Sequence, residues 1–215
     1  MTLAELTKRL LTYRLSLLHL KEMGLSDVYS HLISVETGYS SALIRKDFSR
    51  LKIQGKRRGG YEIDTILESI AKYFGEDEEH KIILVGAGNI GRAIMHYKDF
   101  QKRNIRIIAA FDVDPAKQRR KMEIPVHPPE HCAEFVTKNK VKSAIIAVPA
   151  FSAQNVCDQL IYCGIKGILN FAPVNLKVPD DVYVSNVSLS GELQQVIYHA
   201  SNRVMNSEKK GQKPK

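Results

Sequence analysis

The sequence contains no apolar stretch long enough to cross a membrane, and its first residues lack the apolar core of a secretory signal peptide. Glu5, Lys8 and Arg9 interrupt the leucines of the N-terminus. We therefore expect a cytoplasmic protein with no membrane partner.

Cysteine is scarce as well. The three cysteines, Cys132, Cys157 and Cys163, are odd in number and show no CxxC spacing. This pattern disfavours both a disulfide framework and a zinc site, so we expect no bound metal. Reduced and mostly buried thiols are the favoured interpretation, and a redox-active pair is the weaker alternative.

Acidic residues are nearly missing from one segment of this basic chain, whose formal net charge is +9. Between Tyr39 and Gly60 the single acid is Asp47. The basic residues of the same segment are Arg45, Lys46, Arg50, Lys52, Lys56, Arg57 and Arg58. A concentrated positive patch of this kind is typical of nucleic-acid binding. The basic residues after position 202 are expected to be exposed to solvent without contacting a partner.

The length of 215 residues permits one or two domains. An apolar stripe at helical spacing follows a capping-box pattern at Thr2 and Glu5 and predicts a first helix. A short second helix is predicted next, with Val28, Leu32, Ile33 and Val35 facing inward. A turn containing Gly38 then leads into a third helix.

The third helix has one buried stripe and one basic face. Ile44, Phe48 and Leu51 recur at helical spacing and predict the buried side. The predicted DNA-binding residues on the cap and outer face are Ser40, Ser41, Ala42, Arg45, Lys46, Ser49 and Arg50. Two helices joined by a tight turn, the second with a basic outer face, predict a helix-turn-helix. We expect Arg45 to read a guanine, and Lys46 and Arg50 to bind phosphates.

A glycine-bracketed basic turn follows the third helix. Lys56, Arg57 and Arg58 lie between Gly55 and the glycines at 59 and 60, which predicts the wing of a winged helix contacting DNA. A fourth helix is expected, capped by Asp64, before an acidic linker at 76–79. We place a winged-helix DNA-binding domain at 1–79.

The second part of the chain has the pattern of a Rossmann doubly wound parallel sheet, in the α/β class. An apolar strand at 81–85 leads directly into a GxGxxG motif and a helix. The predicted pyrophosphate-binding residues are Gly86, Gly88, Asn89, Ile90 and Gly91. The glycines permit a tight turn and a close approach of the backbone to the ligand.

The next predicted strand, 105–111, ends at Asp112 and Val113, about twenty residues beyond the last glycine. A carboxylate at this position binds ribose hydroxyls and repels a 2′-phosphate, which favours NAD(H) as the cofactor. Lys117 and the basic residues at 119–121 follow closely and would soften this preference if one folded back.

Two further strands are predicted at 143–148 and 165–169. The residues at their carboxyl ends, Val148, Pro149, Asn170 and Phe171, are candidate cofactor contacts because ligands bind at this edge of open α/β sheets. The Rossmann domain is placed at 80–189, a C-terminal dimerisation helix at 190–206 and a disordered basic tail at 207–215.

The chain resembles the Rex family of bacterial redox-sensing repressors over nearly its whole length. The stretches that carry the resemblance are Arg9-Leu10 with Tyr13, residues 44–49, Gly55-Lys56-Arg57, Gly60-Tyr61, the GxGxxG motif, His96-Tyr97, residues 111–115, residues 164–173 and Glu192-Leu193. Their order across two domains makes the resemblance far more specific than any one motif.

The resemblance implies a homodimer in which the C-terminal helix is exchanged between subunits. It also implies that two third helices read a two-fold symmetric operator in double-stranded DNA. NADH would close the dimer and release the DNA, whereas NAD⁺ would compete without doing so. Tyr97 matches a family tyrosine close to the nicotinamide pocket.

Two departures from the family pattern concern this switch. Leu15 stands where the family has an arginine, and the adjacent Arg14 lies about 100° away around the helix. Ser188 stands where the family has an aspartate before the last helix. In the family these two residues link the cofactor pocket to the DNA-binding domain. We therefore expect a weaker or differently biased cofactor response.

Two other functions remain open. One is a small NAD-dependent oxidoreductase, for which His96, Tyr97, His127 and His131 are possible acid–base groups. No second substrate domain follows the Rossmann repeats, so we expect no enzyme. The other is a DNA-binding regulator that responds to a different adenine-containing ligand, such as a coenzyme A derivative.

Overall fold

The computed structural model describes residues 3–56, 60–118 and 123–211, with side chains described as far as residue 201. The chain divides into two compact units, Met1–Glu79 and His80–Lys215.

Helices dominate the first unit. Its elements in chain order are α1 (Leu3–Glu22), β1 (Asp27–Val28), α2 (Ser30–Thr37), α3 (Ser41–Arg50), β2 (Tyr61–Glu62) and α4 (Ile63–Tyr73). The strands β1 and β2 pair antiparallel. Gly38 adopts φ 74° at the end of α2, a conformation that glycine reaches without strain, and Ser40 caps α3 by accepting a hydrogen bond from the Leu43 amide. The helix-turn-helix with a small wing sheet is confirmed.

The core of this unit lies where α1, α3 and α4 meet. Leu10 and Leu17 on α1 and Ile44 and Phe48 on α3 are completely buried, as the helical stripes predict. Val35 was predicted to face inward but is 67% exposed. The predicted cap at Asp64 is also wrong. Because α4 begins two residues earlier than predicted, Glu62 occupies the cap and Asp64 lies in the first turn.

The second unit is built on a parallel sheet. Its strands are β3 (His80–Val85), β4 (Ile105–Phe111), β5 (Val126–His127), β6 (Ser143–Ile146), β7 (Gly167–Asn170) and β8 (Tyr183–Asn186). Within the described ranges they lie in the order β5-β4-β3-β6-β7-β8, and every pairing is parallel. Numbered from β3, this is the order 3-2-1-4-5-6 of a Rossmann fold, so the predicted fold class is confirmed.

Helices connect these strands or follow the last of them. They are α5 (Asn89–Met95), α6 (Cys132–Asn139), α7 (Ala150–Tyr162) and α8 (Leu189–Gly211), with short 3-10 helices at Lys98–Arg103, Pro115–Lys117 and Pro129–His131. Ile83 and Ile146 belong to the buried core beneath α6 and α7. The last helix extends to Gly211 and so includes residues 207–211, which the sequence assigned to a disordered tail. Residues 212–215 lie outside the described ranges.

Candidate functional site

A cavity of about 1320 Å³ opens at the carboxyl edge of the parallel sheet. The edge between β3 and β6 is the topological switch point, where the strand order reverses and crossover connections leave toward both sides. Eight predicted cofactor residues line this cavity. They are Gly86, Gly88, Asn89, Ile90, Asp112, Val113, Val148 and Pro149.

The three motif glycines have different steric roles. Gly86 adopts φ 101°, and a Cβ there would lie 2.3 Å from the Ala147 carbonyl oxygen. A Cβ on Gly91 would lie 1.9 Å from the Gly86 carbonyl oxygen, so this glycine permits α5 to pack against the turn. Around a Cβ on Gly88, no described atom lies within 4 Å. Two glycines are therefore needed for the fold, and Gly88 leaves open space beside the cavity.

Asp112 is buried at the end of β4 and braces the glycine-rich turn. One carboxylate oxygen accepts a hydrogen bond from the Ala87 amide at 2.7 Å, and the other accepts one from the Asp114 amide at 2.9 Å. Lys117 donates to the same carboxylate at 3.4 and 3.5 Å. The cation thus folds back on the acid, as the sequence left open, and it also lines the cavity.

These residues fit a dinucleotide. The space beside Gly88 allows a pyrophosphate to approach the backbone, and the buried carboxylate stands where a ribose would lie. The cavity is large enough for a cofactor of this size. Bound there, NAD(H) would supply the redox state that the protein reads.

Four predicted contacts do not line the cavity within the described ranges: Gly91, Tyr97, Asn170 and Phe171. The buried Asn170 side chain donates to the Val174 carbonyl and to Asn186 Oδ1, both at 2.8 Å, and accepts from the Ala172 amide at 3.0 Å. It therefore shapes the loop after β7. Tyr97 is exposed and packs edge-on against Phe100, with ring centroids 5.0 Å apart.

Sequence reasoning missed part of the cavity wall. Pro129, Cys132 and Ala133, around the start of α6, contribute to the lining, as does Phe151 on α7. Phe151 is 91% exposed and directly follows the turn at Pro149, which is the signal that places it at this edge. The α6 residues carry no comparable signal, because only the crossover connection brings them to the cavity.

The residues predicted to form the DNA-binding face of α3 lie on the outer side of that helix. Ala42, Arg45, Lys46, Ser49 and Arg50 are exposed, and Ser41 is half-buried. The Arg45 guanidinium donates to Ser30 Oγ at 3.1 Å, so the side chain lies across the N-terminus of α2. The exposed Ser40 caps the helix. The arrangement presents a basic helix whose residues at 42, 45 and 49 share one side.

The wing is only partly described. Lys56 pairs with Gly60 in a β-bridge, and its ammonium lies 2.5 Å from Asp27 Oδ1. This contact raises the pKa of Lys56 and lowers that of Asp27. Lys56 thus fastens the base of the wing to β1. Arg57 and Arg58 lie outside the described residues, and their DNA contacts stay a prediction.

An acid buried in α3 was not foreseen as important. The carboxylate of Asp47 accepts hydrogen bonds from Arg9 Nε at 2.6 Å, from Arg9 Nη2 at 2.8 Å and from the Tyr13 hydroxyl at 3.0 Å. The hydrogen bond to Asp47 raises the pKa of Arg9, whereas burial is the main cause that raises the pKa of Tyr13. We call these three residues the Asp47 triad.

The two positions that depart from the family pattern lie on the surface. Leu15 is 65% exposed on α1. The neighbouring Arg14 is buried instead, with Nη1 2.5 Å from Glu76 Oε1 and the guanidinium over the Phe74 ring. Ser188 is exposed, and its hydroxyl accepts a hydrogen bond from the Gly191 amide at 3.1 Å, so it caps α8. Arg14 therefore does not occupy the surface that Leu15 presents.

The thiols are poorly suited to redox chemistry at neutral pH. Burial raises the pKa of Cys132 to about 12 and that of Cys157 to about 11, and it also raises the pKa of Cys163. The thiolate is the reactive form, so these side chains remain protonated and unreactive.

Comparisons with known proteins agree with this architecture. Residues 77–174 match the family model described as a CoA binding domain. The redox-sensing transcriptional repressor Rex of Listeria welshimeri is 40% identical over 196 residues, 91% of each chain, and that of Oenococcus oeni is 40% identical over 88% of each chain. Among the described helices, each is too short or too polar to span a bilayer.

A solved structure of RSP, a Rex-family repressor, has a TM-score of 0.86 at 31% identity and covers 97% of this chain and 99% of its own. RSP has also been solved in complex with NADH. In complex with NAD⁺ and operator DNA it matches with a TM-score of 0.85 at 30% identity, over 100% of this chain and 99% of that one.

Proposed function

We propose that this chain, which belongs to the Rex family of redox-sensing transcriptional repressors, binds operator DNA through α3 and releases it when NADH binds at the carboxyl edge of the parallel sheet. The observation that carries the proposal is the match over the whole chain to RSP bound to NAD⁺ and operator DNA. A basic reading helix and a dinucleotide cavity in one chain support the same function.

In this proposal, the eight predicted residues that line the cavity bind the pyrophosphate and the adenosine half of the nucleotide. Gly86 and Gly88 would receive the pyrophosphate against the backbone, and Asp112 would bind the ribose. Tyr97, Asn170 and Phe171 remain candidates for the nicotinamide end. Gly91 would act through packing of α5 rather than through contact.

For DNA, Arg45 would read a guanine, and Lys46, Arg50 and Lys56 would contact phosphates. Arg45 would have to exchange its hydrogen bond to Ser30 for a base edge. A two-fold symmetric operator would receive two copies of α3, one in each half-site.

The repressor would act as a homodimer. Leu189, Leu193, Val196 and Ile197 recur at helical spacing on α8 and are all more than half exposed, which supports burial of this face against a second copy. NADH can shift the dimer only if it binds the DNA-releasing state more tightly than the DNA-binding state. Light scattering of the purified protein tests the dimer directly, and a monomer at micromolar concentration would contradict it.

We propose that the chain is not an enzyme. Its relatives are named as transcriptional repressors, which supports a binding function rather than catalysis. Incubation with NAD⁺ and common alcohols or hydroxy acids is expected to produce no NADH absorbance. Catalytic turnover would favour the oxidoreductase instead.

The match to the CoA binding domain model favours one second candidate, a regulator whose ligand is a coenzyme A derivative. Competition against a fluorescent adenine dinucleotide separates the two. NADH is expected to displace the probe at far lower concentration than coenzyme A or acetyl-coenzyme A, and the opposite order would support the second candidate.

DNA binding itself is tested by anisotropy of a labelled inverted-repeat duplex against a scrambled duplex of equal length. Arg45→Ala is expected to weaken operator binding and to reduce discrimination by about 1–3 kcal/mol. Lys46→Ala, the matched control, is expected to weaken both duplexes about equally. Equal affinity of the wild type for both duplexes would contradict the proposal.

A further inference from the structure

One acid is placed unusually in the reading helix. Asp47 immediately follows the exposed Arg45 and Lys46, yet its own side chain is completely buried. It lies on the inner side of α3 between Ile44 and Phe48, where a sequence pattern predicts only apolar contacts. A buried carboxylate is costly unless it is paired and hydrogen-bonded.

Every described hydrogen-bond donor to this carboxylate comes from α1. Arg9 and Tyr13 are four residues apart and so lie one above the other on the same face of that helix. Arg9 binds both carboxylate oxygens with two nitrogens, and Tyr13 binds one of the same oxygens. The triad therefore joins α1 to α3 by three directed hydrogen bonds within one buried cluster.

Such a group does little for net stability. Removing two charges from water offsets most of the attraction between them, and apolar residues of similar volume often replace a buried ion pair without loss of stability. What the triad adds is geometry. A two-pronged arginine–carboxylate contact fixes distance and rotation together, whereas apolar side chains tolerate sliding and turning of a helix.

We infer that Asp47 is a positioning residue for DNA recognition: held by Arg9 and Tyr13, it fixes the rotation and register of α3, and with them the base contact of Arg45. The inference rests on the proposed function and extends it to the winged-helix core. Base readout depends on the placement of side chains at hydrogen-bond precision, whereas phosphate contacts tolerate small shifts.

The test replaces the triad with apolar residues in the full-length protein, as Arg9→Met/Tyr13→Phe/Asp47→Leu. The probe is a duplex that the wild type selects from a random-sequence library, compared with a scrambled duplex at fixed salt. We expect the variant to unfold at about the same urea concentration as the wild type. We expect its selected-to-scrambled affinity ratio to fall by about tenfold or more, as after loss of one base contact.

Binding to scrambled DNA distinguishes a positioning role from a purely structural one, because damage to the fold would weaken binding to both duplexes. Affinity for scrambled DNA and its salt dependence are expected to remain as in the wild type, because Lys46 and Arg50 stay on the exposed face of α3. Tyr13→Phe alone keeps the Arg9–Asp47 contact and is expected to lower the ratio by less than the triple variant. Lys21→Ala breaks an exposed ion pair between α1 and α4 and should leave the ratio unchanged.

Two results would overturn the inference: a triple variant that fails to fold, which makes the triad a stability element, or one that keeps the wild-type ratio. Failure of the proposed function looks different, because the wild type itself would then select no sequence from the library.

Discussion

The Lys117 ammonium lies 3.4 Å from one carboxylate oxygen of Asp112 and 3.5 Å from the other, and 3.5 Å from a carboxylate oxygen of Asp114. A lysine thus stands beside the acid expected to exclude a 2′-phosphate. Because opposite charges offset each other's field, Lys117 reduces the repulsion that Asp112 exerts on a phosphorylated ribose.

Replacing Lys117 with alanine is therefore expected to sharpen the preference for NADH over NADPH. Lys117 is partly exposed, so the dissociation constant for NADPH divided by that for NADH should rise by only about two- to fivefold. Calorimetric titration with both nucleotides measures it. Lys102→Ala, which removes a lysine paired with Asp99 on the surface, is the matched control. An unchanged or smaller ratio in Lys117→Ala would contradict the electrostatic role.

Two glycines of the glycine-rich turn have different roles, Gly91 in folding and Gly88 in ligand binding. Gly91→Ala places a methyl group on the Gly86 carbonyl and is expected to lower the free energy of unfolding by about 1–3 kcal/mol or more. Gly88→Ala meets no described atom, so it should leave stability nearly unchanged while it weakens NADH binding. Thermal unfolding without ligand and NADH titration give the two quantities. Tight NADH binding by Gly88→Ala would remove this residue from the pyrophosphate site.

The surface positions 15 and 188 test the expected weakness of the cofactor response. Leu15→Arg with Ser188→Asp installs the family residues at two exposed positions, and aspartate still caps a helix. We expect the double variant to show a larger loss of operator affinity on NADH addition than the wild type. Each single variant serves as a control, because an ionic contact needs both partners. Equal responses of the wild type and the double variant would show that the switch is complete without this pair.

Alkaline pH is expected to destabilise the protein through its buried thiols. Burial raises the pKa of Cys157 from 9.0 to about 11, so the folded state holds this proton more tightly than the unfolded state. The resulting stability is present below pH 9 and is lost as the pH rises toward 11. Urea unfolding at several pH values measures the slope.

Cys157→Ala should flatten that slope. Val156→Ala, which shortens a non-titrating neighbour in the same core, should lower stability without changing the slope. If Cys157→Ala keeps the wild-type slope, the alkaline loss comes from other groups, such as Tyr13, whose pKa is also raised.

The elements with strong local signals could be predicted from the sequence. The strand over residues 105–111 is found at Ile105–Phe111, because a run that is apolar apart from Arg106 and is bounded by polar residues has few alternatives. The short strands β5 and β8 were missed, since neither contains a run of apolar residues and their pairing depends on neighbours distant in sequence.

In the candidate site, too, some residues could be predicted from the sequence and others could not. The glycine motif and Asp112 carry their chemistry in their spacing, and the structure brings them to one cavity. The burial of Asp47 could not be predicted, because in a basic helix it resembles a solvated charge until α1 supplies its partners. Nor does sequence show that Lys117 turns back toward Asp112, since a side-chain direction in a loop depends on local backbone geometry.

The most direct test of the central claim is fluorescence anisotropy of a labelled two-fold symmetric operator at fixed salt, titrated with protein alone, with saturating NADH and with NAD⁺. A redox-sensing repressor predicts operator binding that NADH weakens and NAD⁺ leaves intact, with scrambled DNA bound poorly in all three conditions. Binding that ignores both nucleotides would contradict the sensor, and equal binding to scrambled DNA would contradict the repressor itself.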